Sequence, residues 1–233
     1  MFNNLKLYVF FIALFTGVKT QAINFSFTDT IKNVSGEITE MKVLYNNGKT
    51  REIIRLKNSK LHGVQKSFNN KGILLSETEY NDGLLCGISK KYNNEGQLKE
   101  KKTYNCNLLK NSSWLDGAYA EYSNNKLISK GNYANNLKEG KWLTYFGNGK
   151  PNKIATYKNG LIVGKYREYQ SSGKIAVKAN YIEINTNGKF ESVKHGEYQT
   201  FFNNGLTKYL LKVVKFVLPR CVCLLIKTLK LML

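Results

Sequence analysis

The chain has 233 residues and a formal net charge of +20, from 36 Lys and Arg against 16 Asp and Glu. Residues 1–22 carry +2 and residues 206–233 carry +6, which leaves +12 for the span between them. Such an excess favours acidic partners: anionic phospholipid, anionic glycan or an acidic protein. Nucleic acid fits by charge alone, but no helix-turn-helix, zinc-finger or RNA-recognition pattern accompanies it, so it is set aside.

Residues 1–22 contain an early lysine, an apolar run from Leu7 to Phe15, and a small-residue ending at Thr20-Gln21-Ala22. That is the layout of a secretory signal peptide, with an uncleaved anchor helix as the alternative; the apolar run is short for a membrane span. No cysteine stands at the expected cleavage point, so no lipoprotein anchor is indicated. The expectation is export, to the periplasm, cell envelope or extracellular space. Residues 23–44 read as an irregular cap or a decayed repeat, with Ser35-Gly36-Glu37 a weak echo of the glycine phrases that begin at Gly63.

From residue 45 to 205 one phrase recurs every 23 to 32 residues. It begins at Gly63, Gly87, Gly117, Gly140, Gly164 and Gly196, and five residues later comes Phe68, Tyr92, Tyr122, Tyr145, Tyr169 or Phe201. Nine residues after the start stands Gly72, Gly96, Gly149, Gly173 or Gly205, with Lys126 the exception. Five copies add Tyr80, Tyr104, Tyr133, Tyr157 or Tyr181. A fixed period of this size marks a stacked array. The copy from Gly140 to Gly160 has two short runs rich in aromatic and β-branched residues separated by Asn148-Gly149, a hairpin signal. Runs this short, broken by glycine every dozen residues, cannot propagate a helix. The fold class is therefore all-β, with about six stacked hairpins in a meandering single-layer sheet of roughly 10 Å rise per repeat. Trp142 and Tyr145 are three apart, so either a bulge corrects their phase or both faces of the sheet carry aromatics.

Two connections are stretched, at residues 105–115 and 182–195, and such insertions map to loops on one side of an array. After Gly205 the phrase breaks. Residues 206–233 hold six cations and no acid, with Lys208, Lys212 and Lys215 at helical spacing. That tail reads as a basic amphipathic helix lying on an anionic membrane, or as a frameshifted stretch, and in either case as poorly packed against the array.

The phrases Lys138-Glu139-Gly140-Lys141-Trp142, Gly149-Lys150 and Tyr157-Lys158-Asn159-Gly160 through Tyr169 resemble the MORN-repeat variant of the bacterial YwqK-type antitoxin family. The resemblance covers about residues 45 to 205. It implies the repeat architecture, no catalytic residues, and a binding role, since MORN arrays elsewhere bind lipids or proteins.

The chemistry-bearing residues agree with a non-catalytic chain. His62 and His195 precede repeat glycines, a position also filled by Cys86, Asp116, Glu139 and Val163, which marks it as a turn. Two histidines about five repeats apart build neither a metal site nor a dyad, and no Ser/His/Asp set, paired carboxylates or phosphate loop accompanies them. Cys86 and Cys106 fall in the turns of adjacent repeats, where stacking brings them within disulfide range; two free thiols are the alternative. Trp142, Tyr145, Tyr166, Tyr169, Lys141 and Lys165 are the candidate binding surface, against the reading that the aromatics are packing and the lysines protect sheet edges. The expectation is an exported repeat protein that binds an unidentified protein partner. The alternative is a peripheral membrane protein holding anionic phospholipid through its basic repeats and tail. Neither needs a cofactor, a metal or nucleic acid.

Overall fold

The computed structural model describes residues 27–32, 35–218 and 221–231. The expected signal segment and the start of the expected cap lie outside them. Among the described residues there are eighteen strands and no helix. The chain opens with β1 (Phe27–Lys32), β2 (Ile38–Leu44), β3 (Thr50–Lys57) and the two-residue β4 (Lys60–Leu61). Six hairpins then follow the six phrases: β5 (Gly63–Phe68) with β6 (Leu74–Asn81), β7 (Leu84–Tyr92) with β8 (Leu98–Asn107), and β9 (Ser112–Ser123) with β10 (Lys126–Ala134). They continue as β11 (Leu137–Tyr145) with β12 (Pro151–Lys158) and β13 (Leu161–Tyr169) with β14 (Ile175–Thr186). After the short β15 (Lys189–Lys194) come β16 (Gly196–Phe201) with β17 (Thr207–Leu218), and then β18 (Cys221–Leu231). Every pairing is antiparallel and nearly all join neighbours in sequence, so the sheet is a meander. It steps from β3 to β5 past β4, and from β14 to β16 past β15.

The two margins of the sheet use different turns. At one margin Phe146 and Lys150 close a three-residue loop: the Gly149 N–H donates to the Phe146 carbonyl (2.8 Å) and the Phe146 N–H to the Lys150 carbonyl (2.9 Å). Gly149 has φ of 81° while Asn148 is not left-handed, so this is a type I turn closed by a left-handed glycine rather than the two-residue turn that Asn-Gly suggests. At the opposite margin Asn159 (φ 49°) and Gly160 (φ 80°) do form the two-residue type I′ turn. The exception in the phrase has its cause here: Asn124 (φ 48°) and Asn125 (φ 59°) make a two-residue turn between Ser123 and Lys126, so no third loop residue and no glycine is needed.

The position before the repeat glycine is not a turn. Cys86, Asp116, Glu139 and Val163 lie inside β7, β9, β11 and β13, where the chain bulges. Val163 pairs with Thr156 and Arg167 with Ile154, so the three residues Gly164–Tyr166 face Ala155 alone. The surplus length is absorbed at Gly164, whose φ of 66° a residue with a Cβ tolerates poorly. His62 and His195 stand at equivalent places, just before β5 and β16, and their N–H groups donate to the carbonyls of Arg55 and Asn180.

Of the two readings of residues 23–44, the pairing of β2 with β3, in the manner of the repeat hairpins, agrees with the decayed repeat. Two further sequence expectations need correction. The stretched connections are longer strands rather than loops. Residues 105–115 prolong the β8–β9 hairpin to Asn107 opposite Ser112, and residues 182–195 add β15 against β14. The tail is two strands and no helix. Residues 207–213 pair along β16, supplying the second strand of the sixth hairpin, and Val213 is buried. The lysine spacing misled because an unpaired strand edge offers a full row of N–H and C=O groups, and Val213 and Val214 suit a strand better than a helix.

Candidate binding surface

Residues directly opposite one another in a ladder share a face, so the cross-strand pairs sort the surface. One row runs Lys102–Tyr119–Gly131 across β8, β9 and β10, and continues through Trp142–Ala155 and Tyr166–Ala179 to Tyr198–Leu211. Large rings alternate with small residues. Trp142 contacts Tyr119, Tyr133 and Tyr157 at centroid distances of 5.5, 5.1 and 6.2 Å, and donates its indole N–H to the Asn132 carbonyl (3.0 Å). Its ring fills the space over Gly131: a Cβ there would lie 2.2 Å from the indole. Tyr166 meets Tyr181 at 5.5 Å and packs with Ala155 and Ala179. A lysine lies over each ring of the row: Lys102 over Tyr119, Lys138 over Trp142 at 4.2 Å, Lys153 over Tyr166 and Lys194 over Tyr198 at 4.1 Å. The periodic second tyrosines, Tyr133, Tyr157 and Tyr181, fill this aromatic face.

Two of these four lysines are paired with glutamates. Lys102 pairs with Glu100 (2.8 Å) and Lys153 with Glu168 (3.3 Å), while the Tyr119 and Tyr166 hydroxyls donate to Glu121 and Glu168. Burial first, then the neighbouring carboxylates, push both phenols well above their ordinary range. Both stay protonated and act as donors.

The other face has a different chemistry. Its central row passes from Lys66 through Glu77 and Lys90 to Lys101, then Ala120, Lys130, Leu143, Ile154, Arg167 and Lys178. The five-residue aromatics stand beside it: Tyr92 donates to Glu77 (3.1 Å), and Lys178 lies 5.3 Å above the Phe201 ring. Burial alone would raise the Glu77 carboxyl. The hydrogen bonds from Lys66, Lys90 and Tyr92 prevail and hold it below the usual value of 4.5.

The six candidate surface residues therefore do not form one site. Trp142 (4% exposed) and Tyr166 (8%) are interior to the aromatic face. Lys141, Lys165, Tyr145 and Tyr169 belong by strand alternation to the basic face. The phase question resolves as aromatics on both faces. Cys86 and Cys106 are joined in a disulfide with Cα atoms 5.3 Å apart, bridging β7 and β8 rather than two turns.

One element passed unread in the sequence. Lys49 and Lys150 donate their Nζ to the carbonyls of Lys71 (3.1 Å) and Ser172 (2.7 Å), one repeat further along. Asn47, Asn69 and Asn148 donate in the same way to Asn70, Asn94 and Ser171. The lysine that follows the turn glycine at Lys49, Lys150 and Lys174 thus ties its turn to the next, while Ile73, Gln97 and Leu206 stand at that place in the other turns.

A family model described as the MORN repeat variant matches residues 61–82, 85–105, 138–159 and 162–183. These are the phrases whose turns alternate in the regular way. This is a MORN-repeat protein. The stretches of the array between and after those matches are the β9–β10 hairpin, which replaces the glycine turn by Asn124-Asn125, and β16–β17, whose second strand lies in the altered tail. Two solved structures are similar to the MORN array at 11% identity. They are the TcdB2-TccC3-TEV crystal structure, over 87% of this chain and 13% of that one, and TcdB2-TccC3-Cdc42, over 86% and 13%. Both have a TM-score of 0.22, and the chain spans about an eighth of their length. Among curated proteins none matches.

Proposed function

We propose that this MORN array is an exported, non-catalytic scaffold that binds a protein partner through an exposed face of its sheet, in a role similar to that of the YwqK-type antitoxins. The observation that carries the reading is the division of the sheet: one face is packed with aromatic rings, while the other carries a row of cations around a small apolar stretch. A meander that spends its aromatics on stacking adjacent hairpins has a surface to offer rather than a closed cavity. The Cys86–Cys106 bond favours export, because such bonds persist in oxidising compartments.

The alternative reading, an anionic phospholipid surface, is favoured by the same basic face. The tail contributes to it as strands, not as an amphipathic helix. Two measurements separate the readings. Flotation of the mature protein with anionic and neutral vesicles at low and high salt tests the lipid reading. Capture from the envelope fraction, followed by reconstitution with the purified captured protein, tests the protein reading. A micromolar or tighter complex that survives without lipid supports the scaffold. Salt-sensitive flotation with no reconstituted complex overturns it, and so does any reproducible turnover abolished by a single polar substitution. Amino-terminal sequencing of envelope protein checks export, with a start near Ile23 as the expected result.

A further inference from the structure

We infer that the partner is an acidic protein segment and that it docks on the basic face, across the β8–β14 strands. This rests on the scaffold reading above and adds the face and the chemistry. The basis is a set of cations left without acids. Lys101, Lys130, Lys141, Lys165, Arg167 and Lys178 share this face, and none has a carboxylate within ion-pair distance among the described residues. The acids of the face are few: Glu77 is held by Lys66 and Lys90, Glu79 accepts from the Ile88 N–H at the bulge of β7, Glu139 accepts from the Asn159 N–H, and Glu197 lies beyond β14 opposite Lys212. On the aromatic face Lys102 and Lys153 are paired with glutamates and Lys138 and Lys194 lie over aromatic rings, so the cations there are engaged within the sheet.

Two details sharpen the argument. Lys90 stands directly opposite Lys101, and Arg167 directly opposite Lys178. Like charges so placed destabilise a sheet, and an exchange of either for glutamate would have relieved them. Lys90 is relieved by Glu77, but the Arg167–Lys178 pair has no such carboxylate, and a surface that keeps it is matched to an anion that arrives from outside. Between Lys130 and Arg167 the same row carries Leu143 and Ile154, both half-buried. An apolar centre with a charged surround is the layout of a protein interface.

The test uses the full mature chain and two probes: a peptide of about 20 residues rich in glutamate, and vesicles containing anionic phospholipid. The face variant combines Lys101→Gln, Lys130→Gln, Arg167→Gln and Lys178→Gln. The control variant removes as many charges at exposed turn positions, with Lys57→Gln, Lys60→Gln, Lys71→Gln and Lys110→Gln. Four ion pairs of surface strength predict about a tenfold loss of peptide affinity in the face variant, a shallower salt dependence, and less than twofold change in the control. The face variant also keeps its melting temperature or gains, since it removes like-charge pairs, which shows that lost binding is not lost folding. Equal losses in both variants would overturn the inference, as would vesicle binding with no peptide binding. If neither probe binds but a captured protein does, the acidic-partner assignment falls while the scaffold reading stands.

Discussion

Gly131 and Trp142 provide a sharp test of how the aromatic face is packed. Gly131 has no left-handed backbone requirement, so replacing it by alanine perturbs sterics alone. The new Cβ would lie 2.2 to 2.6 Å from three indole atoms, and the ring has nowhere to retreat. Tyr119, Tyr133 and Tyr157 surround it within 6.2 Å, and its N–H is held by Asn132. Overpacking of this kind costs about 1–3 kcal/mol, and loss of glycine's freedom in the unfolded chain returns roughly 0.4–1. Gly131→Ala should therefore destabilise by about 1–2 kcal/mol. Trp142→Ala alone should cost about 3–5 kcal/mol. In the Trp142→Ala background the obstacle is gone, and Gly131→Ala should turn neutral or stabilising by about 0.5 kcal/mol. The coupling of about 2 kcal/mol is read from a double-mutant cycle by urea unfolding followed by circular dichroism. A Gly131→Ala penalty that persists without the tryptophan would refute the packing argument.

Other consequences come from single contacts. Removing the Cys86–Cys106 bond, which closes a separation of 20 residues, should cost about 3 kcal/mol. Non-reducing peptide mapping of exported protein should recover the two cysteines in one cross-linked fragment, and recovery as free thiols would count against both the bond and the compartment. At Gly164 nothing crowds a Cβ, so Gly164→Ala carries only the backbone penalty of about 1–2 kcal/mol, and Gly164→Asn should be milder because asparagine accepts the left-handed region. A thermal melt that ranks the two in the opposite order would show that the bulge does not hold this conformation. The Glu77 carboxyl is held below 4.5 in the folded state, so its contribution is present above that pH and is lost as pH falls through the depressed value. Melts from pH 6 down to pH 3 should show that acid-linked loss in the native chain and a smaller one in Glu77→Gln.

How much of this was legible depends on whether the determinant is local. The hairpins were, because Asn-Gly pairs, glycine spacing and alternating aromatics act within a few residues of themselves. So was the closeness of Cys86 and Cys106, although the structure places them on the two strands of one hairpin rather than in adjacent repeats. The split of Trp142 and Tyr166 from Tyr145 and Tyr169 was open, because face depends on parity carried through the bulges at Gly140 and Gly164. The tail was misread because Lys208, Lys212 and Lys215 fit a helix in isolation, while the open edge of β16 makes their segment a strand.

The sequence by itself determined a repeating all-β array, its period and its turn chemistry, since these stem from backbone preferences and from hydrophobic spacing inside one repeat. Only the tertiary structure decided which residues share a face: the alternation of Tyr119, Trp142, Tyr166 and Tyr198 with Gly131, Ala155 and Ala179, and the gathering of Lys101, Lys130, Arg167 and Lys178 on the opposite side. Those neighbours lie side by side in space but a strand or more apart along the chain. Their contact is set by register, and register is fixed only when the strands pair.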